Sequence, residues 1–195
     1  MEQQCFITLA EHSKKHLVSD WPNNGKTLTD AEAEAEAESK NIGLLLGKKS
    51  GILDVDLDCI AAKALADVIL PEPAVKFDRG SPDSGHYLYK ATSFGSRKSF
   101  TSDKSGSTLV ELRGDGAQTM IPPSVHPNGN KLSFTALNEA ANLVEYADLL
   151  KAVNLPAACS EIAQSWQDGI RHDLAMAFSG LARKQDLNAN LVMQI

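Results

Sequence analysis

One stretch constrains this chain more than any other: Ile52-Leu53-Asp54-Val55-Asp56-Leu57, where apolar and acidic residues alternate. Residues i and i+2 of a strand share a face, so Leu53, Val55 and Leu57 face a core while Asp54 and Asp56 stand together on the other side. Asp is depleted in strands, and like charges on one face repel. Something positive is expected to bind there. A divalent cation meets that need, because Mg²⁺ uses one or two carboxylates together with substrate phosphates. The pattern equally suits a solvated face on which Asp54, Asp56 and Asp58 run into a helix cap.

At 195 residues and 43% hydrophobic content, the chain has material for one main domain and a small helical appendage. Phe6 to Val18 reads as a helix, Trp21-Pro22-Asn23-Asn24-Gly25 as a turn, and the Ala/Glu run from Ala31 as a short solvated helix. Ile42 to Leu46 and Ile52 to Leu57, joined by a Gly47-to-Gly51 turn, read as a hairpin. A helix follows, capped by Asp58, with Ile60, Leu65 and Ile69 turned inward, and Pro71 and Pro73 close it. Strands are expected at Ala74–Phe77, His86–Tyr89, Thr108–Leu112, Thr119–Ile121 and Lys131–Phe134, with a Gly/Ser-rich loop from Thr92 to Ser107. Helices return at Leu143–Val153 and from Ser160 onward. This order indicates an α+β fold with a mostly antiparallel sheet. The domains expected are 1–155, the sheet domain, and 156–195, a helical C-terminal region.

Two further elements carry chemistry. Ser84-Gly85-His86 opens the strand HYLYK, where an imidazole beside glycine can donate to a phosphate, or can be a satisfied structural histidine. In TLVELRG, Glu111 and Arg113 share one strand face. They could reach a metal and a phosphate, or pair with each other.

Taken in order, ILDVDLD, SGHYLY, VELRG and MIPPSVHPNG resemble the bifunctional primase-polymerase branch of the archaeo-eukaryotic primase superfamily. The lead-in NIGLLLGKKSGILDVD has the same look, and the resemblance covers Trp21 to Gly129. It implies a primase-like catalytic core, in which an N-terminal αβ unit stands beside a modified RRM-like sheet. It implies that Asp54, Asp56 and Glu111 hold two catalytic Mg²⁺ or Mn²⁺ ions, and that His86 contacts the phosphates of an incoming nucleoside triphosphate, with Ser84 in the same motif. Arg113 and Arg79 would help neutralise the triphosphate, and Ser124 and His126 would lie near the nucleotide. Asp58 adds a third acid, and Lys90 stands where an aromatic or apolar residue is expected.

The activity so implied is that of a DNA primase and DNA polymerase, a nucleotidyltransferase working on a single-stranded DNA template and primer. Its setting would be the replication of a plasmid, phage or other mobile element, with a helicase domain downstream of an apparently shortened end at Leu191-Val192-Met193-Gln194-Ile195. Two other classes use the same acids: a metal-dependent nuclease or sugar transferase, and a non-catalytic replication-initiator module. A net charge of -6 is unusual for a protein that meets nucleic acid. Asp30, Glu32, Glu34, Glu36 and Glu38 supply most of it, and without them the chain is close to neutral. In the loop, Arg97, Lys98 and Lys104 could track a template backbone or keep the segment soluble. Cys5, Cys59 and Cys159 form no CxxC pair, which indicates reduced thiols and a cytoplasmic setting without a membrane segment.

Overall fold

The computed structural model describes residues 3–165, 169 and 171–184. Its elements are β1 (Phe6–Leu9), α1 (Leu28–Glu38), β2 (Asn41–Leu45), β3 (Ile52–Leu57), α2 (Ile60–Ile69), β4 (Val75–Asp78), β5 (Gly85–Lys90), β6 (Lys98–Thr101), β7 (Thr108–Arg113), β8 (Gln118–Ile121), β9 (Ser133–Leu137), α3 (Tyr146–Ser165) and α4 (Arg171–Lys184), with a short 3₁₀ turn at Trp21–Asn23. Two antiparallel sheets result, one ordered β1-β2-β8 and the other β6-β7-β3-β5-β4-β9. The α+β expectation is met. No helix among the described residues is long and apolar enough to cross a membrane.

The alternation in β3 sets the architecture. Leu53, Val55 and Leu57 are fully buried and join Tyr87, Tyr89, Val110 and Leu112 beneath α2 and α3. The smaller sheet packs at the opposite face through Phe77 and Leu88, which share a second core with Ile7, Ile42 and Met120. Asp54 and Asp56 lie on that second face. Leu53→Ala is expected to lower the unfolding free energy by about 2–5 kcal/mol, the usual cost of a cavity at a closed site. Urea denaturation measures it.

Several expectations are corrected. Residues 6–18 are not a helix: Phe6–Leu9 pairs antiparallel with β2, because Ile7 and Leu9 are buried while Leu17 and Val18 are exposed, so no helical face exists. Strands β2 and β3 form no hairpin and belong to different sheets. Gly47 makes the switch: its φ is 74°, and a Cβ there would lie 2.1 Å from Asp115 Oδ1, so only glycine lets the two loops meet. Helix α2 is capped by Cys59, not Asp58, and approaches the sheet through Ala62 and Ala66, while Ile60 is exposed. The Gly/Ser-rich loop contains the edge strand β6.

Helix α1 starts earlier than expected, capped by Thr27 Oγ1, which accepts from Asp30 N at 3.1 Å. One of its glutamates, Glu34, turns inward to accept from Thr8 Oγ1 at 2.9 Å and to meet Lys40 at 2.9 Å. Helix α3 is continuous through Pro156 where a break was expected. Val153, Pro156, Ala157 and Cys159 are all buried, and that burial outweighs the missing amide donor. The apolar end Leu191–Ile195 lies outside the described residues.

Candidate active site

Strand β3 runs between β5 and β7, and the register decides what meets. Asp56 lies opposite His86 on one side and Glu111 on the other, while Asp54 lies opposite Arg113 and Leu88. Directly opposed residues in an antiparallel pair point to the same face, so one row crosses the sheet: Ser99, Glu111, Asp56, His86, Phe77 and Phe134. The His86 ring stacks on Phe77 with centroids 4.6 Å apart, which fixes its plane.

Asp54 and Asp56 are buried, and so is Glu111. Arg113 Nη2 sits between the first two, 2.7 Å from Asp54 Oδ2 and 2.8 Å from Asp56 Oδ2, with only 12% of its side chain exposed. His86 Nδ1 lies 3.2 Å from Asp54 Oδ2 and 3.1 Å from Arg113 Nη2, and its Nε2 lies 3.6 Å from Asp56 Oδ1. Burial opposes ionisation of Asp54, but Arg113 and then His86 outweigh it and hold the carboxyl below the usual carboxylate range. Asp58 is pushed up to about 6, first by the protein crowded around its carboxyl, although much of the residue is open, and then by the charge of Asp56. Burial works against Arg113 too, yet the surrounding acids, Asp56 first, raise it.

Glu111 is met from the other edge. Ser99 Oγ donates to its Oε1 at 2.6 Å and Arg97 Nε at 2.9 Å, with Arg97 Nη2 closing a salt bridge to the same oxygen. Arg97 thus neutralises an acid of the row instead of solvating a loop. Among the described residues, no group of three or more His, Cys, Asp or Glu side chains is assembled to hold a metal ion. Two guanidinium groups stand in the positions of positive charge instead. The donor set nevertheless fits a divalent cation: three carboxylates come from adjacent strands, and the buried Asp54 Oδ1 has no hydrogen-bond partner.

Beside the acids a small cavity is lined by Lys14, Arg79, Ser84, His86, Arg113, Gln118, Thr119 and His126. His126 is held below the ordinary imidazole range, first by burial and then by the charges of Lys14, Arg79 and His86, with Asn128 opposing. Cations crowded so closely suit an anion. Ser124 is not brought to this cavity. Its buried hydroxyl accepts from Ile42 N at 2.9 Å and donates to Ile42 O at 3.3 Å, tying the loop that carries His126 to β2. Asn41 does the same, donating to Val125 O at 2.7 Å and accepting from Val125 N at 2.9 Å.

Sequence reasoning missed Lys14, Gln118, Thr119 and Asn41, and read Arg97 as a loop cation without its contact to Glu111. A polar Asn opening the apolar run NIGLLL was the one available signal, for Asn41.

An acid row running into a cationic cavity on an antiparallel sheet is an arrangement suited to a phosphate-bearing ligand. The chain belongs to the Prim-Pol family: the model described as bifunctional DNA primase/polymerase, N-terminal, matches residues 5–148, a span that holds every strand and the whole acid row. Comparison with curated proteins gave no match.

Proposed function

We propose that this domain is a template-directed nucleotidyltransferase, a DNA primase and DNA polymerase that joins nucleoside triphosphates on a single-stranded DNA template. The observation that carries this reading is the continuity of acids and cations. Asp56 and His86 are directly opposed on neighbouring strands, and His86 lines the cavity beside the acids. A nuclease or sugar transferase would use the acids but has less need of five basic side chains around one small cavity.

Asp54, Asp56 and Glu111 would hold two Mg²⁺ or Mn²⁺ ions, which would supply charge stabilisation to phosphoryl transfer. The chain's own residues carry the remaining tasks. His86, its ring fixed by Phe77, donates to a phosphate oxygen, and Arg79 and His126 add charge along the same cavity. Arg113, held by Asp54 and Asp56, lines the same cavity and adds its charge there, and Arg97, 60% exposed, meets Glu111 from the other edge. Burial of the acids excludes water from the reacting centre. Ser84 shapes the cavity wall, while Ser124 acts at one remove by holding the His126 loop. Positioning and charge, with little covalent chemistry, carry the rate.

A primase-like core with an RRM-like sheet, a downstream helicase, and a role in replicating a plasmid, phage or mobile element belong to the same proposal and rest on the family resemblance. The unpaired cysteines agree with a cytoplasmic setting.

The test is a calorimetric titration with a nucleoside triphosphate in the presence of Mn²⁺. Metal-dependent binding is expected, and its absence would favour the non-catalytic module. In the same assay His86→Ala is expected to weaken binding by about ten- to a hundredfold, the worth of one hydrogen bond to a charged group. Excess nucleotide should then recover part of the rate, provided the contact is equal in ground and transition states.

A further inference from the structure

The cavity beside the acids has an outer wall that none of the strand motifs supplies. The segment Ala10–Lys15 closes on itself, with Ala10 N donating to Lys15 O at 3.0 Å and Ser13 N donating to Ala10 O at 3.1 Å. Two side-chain amides from the smaller sheet then fasten it. Gln118 Nε2 donates to Lys14 O at 3.1 Å and Asn41 Nδ2 donates to Ser13 O at 3.3 Å. The tethered loop sets Lys14 at the cavity facing Arg79, His86 and His126.

The permanent cations of the site differ in how their charge is used. Arg113 is engaged by Asp54 and Asp56, and Arg79 by Asp83 at 3.5 Å. Lys14 makes no salt bridge among the described residues. Its charge reaches the Asp58 carboxylate only through space, and beside the other cations of the cavity it is repelled, a repulsion that an anionic ligand removes. Depth indicates which part of the ligand it meets. Ser84 and His86 are buried and Arg113 nearly so, with His86 and Arg113 touching the acids, whereas Lys14 is exposed. In-line transfer places the reacting α-phosphate at the acids, so the outer phosphates point away from them.

We propose that Lys14 is a ligand for the terminal phosphates of the incoming nucleoside triphosphate, positioned by Gln118 and Asn41, and that it makes the site prefer triphosphates over monophosphates. This rests on the nucleotidyltransferase reading. It adds a residue from outside the acid and histidine motifs, and a basis for substrate choice.

The experiment compares equilibrium binding of an α,β-imido deoxynucleoside triphosphate and of the matching monophosphate, both with Mn²⁺, to wild type, Lys14→Ala and Lys14→Arg. Lys14→Ala is expected to weaken triphosphate binding by about tenfold while monophosphate binding changes by less than about twofold. Lys14→Arg, which keeps the charge, is expected to restore most of the affinity. Circular dichroism confirms that the variants fold, as the exposure of Lys14 leads one to expect. Equal losses for both ligands, or no loss for either, overturn the role of Lys14. A wild-type protein that binds no triphosphate overturns this role together with the functional reading, whereas tight wild-type binding that Lys14→Ala leaves unchanged overturns this role alone.

Discussion

Asp56→Ala is expected to cut nucleotide incorporation by at least about a hundred- to a thousandfold, and excess nucleotide should not restore it. Asp56 is the centre of the row, opposed by Glu111 on one strand and His86 on the other. Its carboxylate is assigned to charge that develops in the transition state, so its loss acts on turnover more than on substrate affinity. The fold should survive. Removing one of two neighbouring acids relieves repulsion, and Arg113 keeps its 2.7 Å contact with Asp54. Steady-state primer extension, with circular dichroism on the same sample, checks both halves. Full activity in a folded variant would remove the polymerase reading itself.

Arg113→Ala is expected to have the largest effect on stability, and one that depends on metal. The Arg113 guanidinium contacts both Asp54 and Asp56, and all three are almost out of water. Taking away one partner of a buried ion pair leaves charge without compensation, at a cost of about 3–5 kcal/mol. With EDTA present, urea unfolding should show a loss of that size. Adding Mn²⁺ should recover a large part of it in the variant and change the wild type less, because a divalent cation supplies the charge that the guanidinium supplied. A variant as stable as wild type in EDTA, or one indifferent to Mn²⁺, would show that the acids do not need positive charge from either source.

The acid row was legible because a strand's period of two is read directly from Leu53-Asp54-Val55-Asp56, and the same reading placed Glu111 and Arg113 together. His86 followed from its position at the start of a strand. Local pattern could not reveal partners. β2 and β3 have hairpin spacing, yet Gly47 and the approach of Asp115 send them into separate sheets. β1 is four residues long and is a strand only because β2 lies beside it. Its neighbouring loop, and with it Lys14, was hidden inside an expected helix.

Arg97 stood in a Ser- and Gly-rich segment with no apolar pattern, and it acquires its meaning from the pairing of Ser99 with Glu111. Ser124 was placed near the nucleotide by the family resemblance alone. Only the position of Ile42 shows where its hydrogen bonds go. Pro156 reads as a break until the burial of both flanks is seen.

The most direct test of the central claim is extension of a labelled primer on a single-stranded DNA template, with all four deoxynucleoside triphosphates and Mg²⁺ or Mn²⁺, against the same mixture in EDTA. The account predicts products that lengthen with template sequence, only when a divalent ion is present, and only when Asp56 is intact. Shortening of the primer, or no change in its length under any of these conditions with folded protein, would contradict it.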